Sequence, residues 1–274
     1  MEQQIKINAG TVQETLLLPL WGRAYETEKE SPRLVDRKAV EIIESLDYDF
    51  STIADTQAFS QHGWVARSLH TDQVANEFIG KHPEATIVNI GCGLDTTFSR
   101  IDNGKILFYE LDFPEVIDLR RDFYEDSDRH RSIASSFLET DWFNEIEVRD
   151  GLLFLAGGVF MYFNEAQIKA FFTEVADHFK NCDFYFDSLS PMGIKIAKKM
   201  VLKKGGMGMA MDGGWGLKPV KNLEKWDRRI RVNSSTPMHQ GVKKGIPLKE
   251  KIILSMPDLL GICSMVHVTI ESRA

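Results

Sequence analysis

The amino-acid sequence predicts an α/β fold in which a mostly parallel sheet carries helices on both faces and is preceded by a helical cap. The first observation is that short apolar runs, typical of buried strands, alternate with segments of helical character. The second is that the roughly 80 residues before the first of these runs have helical rather than strand-like character. We therefore expect an N-terminal helical cap over residues 1–80 and a sheet-containing core over residues 81–274.

The elements follow in order along the chain. In the cap, helices are expected over residues 37–46 and 73–79. In the core, strands are expected near residues 86–90, 106–110, 132–135, 151–155, 183–187 and 265–270. Apolar residues recur at helical spacing over residues 166–179, which predicts a helix with one buried face between two of these strands.

The composition is that of an ordinary soluble protein. Of the 274 residues, 43% are hydrophobic, which is enough for a full core, and the net charge of −7 provides no broad basic surface. Nucleic acid is therefore not an expected partner. No apolar run approaches the roughly 18 residues of a membrane span, and the first residues lack a signal sequence, so we expect a cytoplasmic protein without membrane contact.

The cysteines and histidines give no sign of a disulfide or a metal site. Cys92, Cys182 and Cys263 are odd in number and far apart, which is typical of a reduced compartment. The histidines show no His-x-x-x-His spacing. We expect buried apolar cysteines and no bound metal.

A glycine turn after the first core strand is the most informative feature of the chain. Gly91-Cys92-Gly93 follows an apolar run, and the next apolar run ends on Glu110, roughly 20 residues further on. Glycines at the end of a buried strand let the backbone turn sharply and approach a ligand, where a Cβ would collide. An acid at the end of the next strand is placed to accept hydrogen bonds from ribose hydroxyls. The layout indicates a nucleotide site, although a turn without a ligand would use the same two glycines.

The residues after the turn bear on which nucleotide binds. A dinucleotide fingerprint needs a third glycine, and Thr96 occupies that place. Asp95 would repel a pyrophosphate but suits a ligand that carries an ammonium and a sulfonium group, as S-adenosylmethionine does. The sequence also lacks a phosphate-binding Walker loop. S-adenosylmethionine is therefore favoured, and a nicotinamide-dependent oxidoreductase stays as an alternative.

Longer motifs surround this turn and extend over most of the chain. They comprise residues 14–24 (ETLLLPLWGRA), Arg67-Ser68, residues 89–96 (NIGCGLDT), residues 110–117 (ELDFPEVI), Thr140-Asp141-Trp142 and residues 156–162 (AGGVFMY). Together they resemble the leucine carboxyl methyltransferase family, particularly its bacterial branch related to tetracenomycin-type polyketide O-methyltransferases. The resemblance implies a Rossmann-like class I methyltransferase fold, S-adenosylmethionine as methyl donor and an oxygen atom as acceptor.

The resemblance also implies roles for residues near the donor. The family holds the donor's carboxylate with an arginine ahead of the first core strand, and the counterpart here is Arg67, whose guanidinium can form two parallel hydrogen bonds to a carboxylate. Asp141 is placed to accept from the adenine amine with Trp142 packing on the ring, and a helix N-cap is the alternative role of Asp141. Gly157 stands where the family usually has glutamate, which leaves a non-catalytic donor-binding protein as a further alternative.

The expected donor site combines residues from all of these motifs: Arg67, Gly91, Cys92, Gly93, Asp95, Thr96, Glu110, Leu111, Asp141, Trp142 and Gly157. Methyl transfer from a sulfonium depends mainly on positioning, and the sequence shows no clear base. The candidate catalytic residues are Arg23, as a guide for an anionic acceptor, and Tyr162, facing donor or acceptor. A helix-surface arginine and a core tyrosine are the respective alternatives.

A glycine- and methionine-rich insertion near residues 203–216 is the least regular stretch of the chain. Its glycines resist regular structure, while its methionines and Trp215 offer adaptable apolar contacts. We expect a lid over the acceptor, with a surface connection as the alternative. The sequence thus predicts an S-adenosylmethionine-dependent O-methyltransferase that acts on a carboxylate or hydroxyl of a small apolar or aromatic molecule by in-line methyl transfer.

Overall fold

The computed structural model describes residues 5–6, 12–57, 59–203 and 214–272, which are organised around a seven-stranded sheet. The strands are β1 (Ile5–Lys6), β2 (Leu46–Asp47), β3 (Thr86–Ile90), β4 (Leu107–Asp112), β5 (His130–Ala134), β6 (Leu152–Ala156), β7 (Cys182–Leu189), β8 (Ile230–Pro237) and β9 (Cys263–Ile270). The helices are α1 (Val12–Thr27), α2 (Arg37–Ser45), α3 (Ser51–Gln57), α4 (Gln61–Lys81), α5 (Thr97–Ile101), α6 (Pro114–Arg120), α7 (Glu165–His178), α8 (Pro191–Lys203) and α9 (Leu248–Leu260).

The seven strands of the sheet lie in the order β5-β4-β3-β6-β7-β9-β8, and β1 pairs with β2 apart from them. Neighbours from β5 to β7 are parallel, whereas β9 runs antiparallel to both β7 and β8. The predicted α/β class with a mostly parallel sheet is confirmed. The six predicted strands correspond to β3–β7 and β9.

β8, at the edge of the sheet, is the strand of the seven-stranded sheet that the sequence pattern does not predict. Its residues Ile230–Pro237 are mostly polar and half of them are exposed, and the strand pairs with β9 alone. Strand prediction relies on apolar alternation, which a solvated edge strand does not need. The pairing with β9 is a tertiary contact that the local pattern does not reveal.

Two apolar clusters bury the sheet on both faces. On one face, Val88 and Ile90 of β3 pack in a cluster with Phe172 of α7, the helix predicted over residues 166–179. On the other face, Ile87 belongs to a cluster with Ala75 of α4. Because successive strand residues point to opposite faces, every residue of β3 is buried.

The first helices pack together over one end of the sheet. Leu17 and Leu20 of α1 and Ile42 of α2 share an apolar cluster with Leu94, which follows the glycine turn. α4 instead shares an apolar cluster with the sheet, although the expected boundary at residue 80 assigns it to the cap. The division of the chain into a cap and a core stays a prediction.

Most of the expected lid, residues 204–213, lies outside the described residues. After this segment, Trp215 is buried and its backbone N–H donates to the carbonyl oxygen of Phe163 at 2.9 Å. The Trp215 ring lies 5.2 Å, between centroids, from that of Trp226. The chain that follows this segment is therefore held beside Phe163, shortly after β6.

Candidate active site

A cavity of about 440 Å³ opens at the carboxyl ends of the parallel strands. Its walls come from the glycine turn, from the residues that follow β4, β5 and β6, and from one side of α1 and α4. Ligands of open α/β sheets bind outside the carboxyl ends of the strands. The cavity therefore lies where the fold places a ligand site.

The glycine turn needs glycine for both conformation and space. Gly91 and Gly93 have φ angles of +61° and +50°, in the left-handed region that favours glycine. A Cβ on Gly91 would lie 2.5 Å from Cγ2 of Val159, and one on Gly93 would lie 3.1 Å from Cδ2 of Leu16. Both glycines and Cys92 line the cavity. Burial raises the pKa of the Cys92 thiol well above its usual range, so this side chain is a neutral part of the wall.

Two acids near the end of β4 have different surroundings. Asp112, the last residue of β4, lines the cavity, and its carboxylate accepts from the backbone N–H groups of Gly93 and Phe113, both at 2.8 Å. Burial raises the pKa of Asp112, and these hydrogen bonds offset only part of that effect. Asp112 presents a partly exposed carboxylate at the strand end.

Glu110, the acid that the sequence analysis assigns to the ribose, does not line the cavity. It lies two residues earlier on β4, roughly 7 Å behind the strand end. Its Oε1 accepts from Nη2 of Arg120 at 2.7 Å, and its Oε2 accepts from Nδ2 of Asn89 at 2.9 Å. The carboxylate is thus directed into the protein, and Leu111 and Asp112 are the β4 residues at the cavity.

Asp95 contributes a negative charge to the cavity wall. Its Oδ2 accepts from Nδ2 of Asn89 and from the backbone N–H of Thr97, both at 3.1 Å. Burial by itself would raise the pKa of Asp95, but the guanidinium groups of Arg23 and Arg100, with further hydrogen bonding, lower it to about 2. Asp95 is therefore ionised at neutral pH, as a site for an ammonium group requires.

Thr96 and Arg23 are bound to the protein around the turn. Thr96 is buried outside the cavity, and its hydroxyl donates to Asp36. Arg23 lines the cavity, but its Nε donates to Oδ2 of Asp36 at 2.8 Å and its Nη2 donates to the carbonyl oxygen of Leu94 at 2.8 Å. Its remaining nitrogen, Nη1, lies 3.9 Å from Oδ1 of Asp95. The charge of Arg23 is thus already paired.

Arg67, on α4, lines the cavity beside Gly157 and Gly158. Its Nη2 donates to Oδ2 of Asp187 at 2.9 Å, while its buried Nε has no hydrogen-bond partner among the described residues. Gly157 and Gly158 make room for this side chain. A Cβ on Gly157 would lie 3.0 Å from Cδ of Arg67, and one on Gly158 would lie 2.7 Å from Nη1. The guanidinium occupies space that larger residues at these two positions would fill.

Asp141 and Trp142 do not line the cavity. Asp141 is exposed in the first turn of a 3-10 helix (Thr140–Glu145), and Trp142 is buried in the core beneath it. The cavity wall beside β4 comes instead from Ser135 and Ser136, which directly follow β5. The backbone N–H of Ser135 donates to the carbonyl oxygen of Asp112 at 2.9 Å, which joins the two strand ends.

The rest of the cavity wall is largely apolar. It includes Leu16 and Pro19 of α1, Trp64 of α4, and Met161 and Phe163 after β6. Tyr162 also lines the cavity, where burial raises the pKa of its hydroxyl despite the nearby Arg67 guanidinium, so the hydroxyl is protonated at neutral pH. None of the described residues that line the cavity is a histidine or a lysine.

The described part of the chain contains no group of three or more histidine, cysteine or acidic residues that could hold a metal ion. Nor does it contain a helix that is long and apolar enough to cross a membrane.

The chain is similar in sequence to known methyltransferases. Residues 17–176 match the leucine carboxyl methyltransferase family. Tetracenomycin polyketide synthesis O-methyltransferase TcmP of Streptomyces glaucescens is 31% identical over 215 residues, which cover 78% of each chain. The S-adenosyl-L-methionine-dependent methyltransferase dpfgK of Gibberella zeae is 24% identical over 192 residues, which cover 64% of each chain.

Solved structures agree in fold. A Thermobifida fusca structure described as a methyltransferase has a TM-score of 0.60 at 11% identity and covers 92% of this chain and 94% of its own. A DUF574 family protein from Streptomyces avermitilis has a TM-score of 0.58 at 8% identity, covering 92% of this chain and 97% of its own. These similarities show the class I methyltransferase fold.

The chain belongs to the leucine carboxyl methyltransferase family. The predicted family, the fold class, the enzyme class and S-adenosylmethionine as methyl donor are confirmed. The comparisons give no support to a nicotinamide-dependent oxidoreductase or to a non-catalytic binding protein.

Proposed function

We propose that this enzyme transfers the methyl group of S-adenosylmethionine to a carboxylate oxygen of a small molecule with an apolar or aromatic body. The observation that carries the proposal is a cavity whose described lining combines charged groups with apolar side chains and includes no basic side chain suited to remove a proton. A cytoplasmic location, expected from the sequence, is part of the proposal.

The charged residues of the cavity wall fit the donor. S-adenosylmethionine supplies a methyl group already activated by the sulfonium, so the residues of this chain need to bind and orient it. Asp112, at the end of β4, is placed to accept from the ribose hydroxyls, and the ionised Asp95 matches the ammonium group. Arg67, with its free buried Nε, matches the donor's carboxylate.

We assign the adenine of the donor to the residues after β5. Ser135 and Ser136 line the cavity next to Asp112, and Phe137 follows them as an apolar surface. We propose these residues for the adenine in place of Asp141 and Trp142, which do not line the cavity. Hydroxyl groups can donate to or accept from the base, and an aromatic ring can pack on it.

The acceptor chemistry follows from the titratable groups of the cavity. A carboxylate is ionised above about pH 5, whereas a phenol or alcohol with a pKa of about 10 or higher needs a base. The pKa of Asp95 is about 2, which makes it a very weak base, and the hydroxyl of Tyr162 is protonated. An acceptor that is already ionised therefore suits this cavity better than a hydroxyl.

The pH dependence of methyl transfer tests the acceptor class. The purified enzyme would be incubated with S-adenosylmethionine and a panel of aromatic carboxylic acids, each paired with its primary alcohol and its methyl ester as controls. Mass spectrometry should detect methyl esters of the acids alone, at a rate that is nearly constant from about pH 6 to 9. Methylation of phenols or alcohols, with a rate rising about tenfold per pH unit, would contradict the carboxylate assignment.

A further inference from the structure

Three consecutive carbonyl groups of the glycine turn accept hydrogen bonds from arginine side chains. Nη1 of Arg120 donates to the carbonyl oxygen of Gly93 at 2.8 Å and to that of Asp95 at 2.9 Å. The carbonyl oxygen of Leu94, between them, accepts from Nη2 of Arg23 at 2.8 Å. A buried carbonyl without a partner is costly, so these contacts stabilise the turn in one conformation.

Arg120 makes these contacts from a fully enclosed position at the end of α6. Its side chain is 1% exposed, and so is that of Glu110, whose Oε1 lies 2.7 Å from Nη2 of Arg120. A buried guanidinium would be strongly destabilising without a counter-charge. Glu110 therefore makes it possible for Arg120 to remain charged and buried behind the turn.

The Arg120–Glu110 pair is also connected to the Asp95 carboxylate, which lies at the cavity wall. Nδ2 of Asn89 donates to Oε2 of Glu110 at 2.9 Å and to Oδ2 of Asp95 at 3.1 Å. Arg120 thus contacts the backbone carbonyl of Asp95, and Glu110 is linked through Asn89 to its side chain. Both the backbone and the carboxylate of Asp95 are bound from behind by this one network.

We propose that Arg120 and Glu110 are positioning residues for the methyl donor, acting through the backbone of the glycine turn without touching the donor. The pair holds the carbonyl groups of Gly93 and Asp95 inward, which keeps the glycine face of the turn and the Asp95 carboxylate at the cavity. This inference rests on the proposed donor site. It gives Glu110 a role in donor binding that differs from a ribose contact.

The first test removes both charges of the pair together. Because losing one partner would leave a buried unpaired charge, the variant is Arg120→Met with Glu110→Gln. Calorimetry with S-adenosylhomocysteine should show a Kd raised about tenfold or more, since the carbonyl of Gly93 loses its donor and that of Asp95 keeps only the hydrogen bond from the Tyr124 hydroxyl at 3.3 Å. Hydrogen exchange of residues 92–97 in the ligand-free protein should increase at the same time.

A control for the removal of two opposite charges is available at a more exposed ion pair. Nη1 of Arg129 lies 2.6 Å from Oδ1 of Asp102 and also donates to the carbonyl oxygen of Ile106 at 3.4 Å, away from the cavity. The control variant is Arg129→Met with Asp102→Asn, and its Kd for S-adenosylhomocysteine should stay within about twofold of the parent. An equal loss in both variants, or no loss in the first, would overturn the proposal.

The second test separates positioning from a ribose contact and uses Glu110→Asp, which keeps the counter-charge of Arg120 but shortens the side chain that holds it. The parent should bind S-adenosylhomocysteine more tightly than its 2′-deoxy and 3′-deoxy analogues. Glu110→Asp should weaken binding of all three ligands by the same factor, leaving their ratios unchanged. A collapse of these ratios in Glu110→Asp would make Glu110 a ribose ligand and the proposal wrong.

The two tests also distinguish failure of the inference from failure of the donor site. If the parent enzyme does not bind S-adenosylhomocysteine, the proposed site itself is wrong. If the parent binds and the double variant does not fold, Glu110→Asp, which retains the buried counter-charge, decides. Unchanged Kd and unchanged exchange of residues 92–97 in that variant would exclude a positioning role.

Discussion

The two parts of the cavity wall that we assign to the donor and to the acceptor, the donor end and the acceptor end, are built in different ways. At the donor end, the two acids are fixed by named partners: Asp112 accepts from two backbone N–H groups, and Asp95 accepts from Asn89 and Thr97. At the acceptor end, the wall consists of apolar side chains such as Met161 and Trp64. One end is specified by hydrogen bonds with defined geometry, and the other mainly by shape and apolar area.

This difference predicts how the two ends respond to substitution. A hydrogen-bonded network loses affinity steeply when one member changes, because its partners are left unsatisfied. An apolar wall loses affinity in proportion to the area removed. Changes at the donor end should therefore have large effects on donor binding, and changes at the acceptor end should have smaller effects on acceptor kinetics alone.

The largest effect is expected from Gly91→Ala. A residue other than glycine at a φ of +61° is strained, and its Cβ would lie 2.5 Å from Cγ2 of Val159. Strain and overlap together should cost about 2 to 4 kcal/mol, and donor affinity should fall about 100-fold as the turn shifts to relieve them. The measurement is calorimetric titration with S-adenosylhomocysteine, with thermal unfolding in parallel.

Gly104→Ala is the matched control for this variant. Gly104 has a φ of +79°, but a Cβ there would meet nothing within 4 Å, and the residue does not line the cavity. Its substitution should reduce the free energy of unfolding by about 1 to 2 kcal/mol while leaving donor affinity unchanged. Equal losses of donor affinity in the two variants would show that general destabilisation, rather than the turn, causes the effect.

The next effect in size is expected from Asp112→Asn. Removing the charged acceptor should weaken donor binding by about 1 to 3 kcal/mol. Because burial raises the pKa of Asp112, the ionised form is disfavoured in the folded protein and the substitution should change the free energy of unfolding much less than donor binding. The discriminating measurement compares S-adenosylhomocysteine with its 2′-deoxy and 3′-deoxy analogues.

The sign of the pH effect follows from the same shift. At pH values near the raised pKa of Asp112 the carboxylate gains a proton, so donor affinity should fall as the pH is lowered through that pKa. Asp95, with a pKa of about 2, stays ionised over this range and contributes no change.

The comparison of ribose analogues tests the assignment of Asp112. If Asp112→Asn kept the parent's preference for ribose hydroxyls, the ribose contact would have to be assigned to another residue.

The sequence identifies residues of the cavity wall where one local motif contains them. Gly91, Gly93 and Asp95 lie in one short segment, and their approach to the cavity follows from one strand-to-helix turn. The choice between Glu110 and Asp112 depends on where β4 ends, and element ends are the least certain part of a prediction from pattern. That uncertainty moves the expected ribose acid by two residues.

The acceptor end and the residues after β5 lie beyond what pattern can supply. Pro19, Trp64 and Met161 come from α1, α4 and the chain after β6, and tertiary packing brings them together. Ser135 and Ser136 have no motif of their own, whereas Trp142 attracts attention as a large aromatic residue and proves to be core. Their position directly after a parallel strand is the signal that could have identified the serines.

A smaller effect is expected from Arg67→Lys. The substitution keeps the charge but removes the planar fork that can bind a carboxylate through two hydrogen bonds, so donor affinity should fall about tenfold. Arg67→Ala should lose more, because Asp187 would then be buried without its counter-charge. If Arg67→Lys binds the donor as tightly as the parent while Arg67→Ala does not, a point charge is sufficient and the two-pronged contact is excluded.

The smallest effect is expected from Met161→Ala, at the acceptor end. Truncating one apolar side chain of the wall removes about 1 kcal/mol of contact, so KM for the acceptor should rise about threefold to fivefold while the Kd for S-adenosylhomocysteine stays constant. Met192→Ala, at an exposed methionine of α8 that does not line the cavity, is the control and should leave both quantities unchanged. Steady-state kinetics with an acid of the carboxylate panel that the parent enzyme methylates, combined with calorimetry, measures the two separately. A loss of donor affinity in Met161→Ala equal to the rise in KM would mean that donor and acceptor share this wall, and the contrast between a hydrogen-bonded end and an apolar end would no longer separate the two ligands.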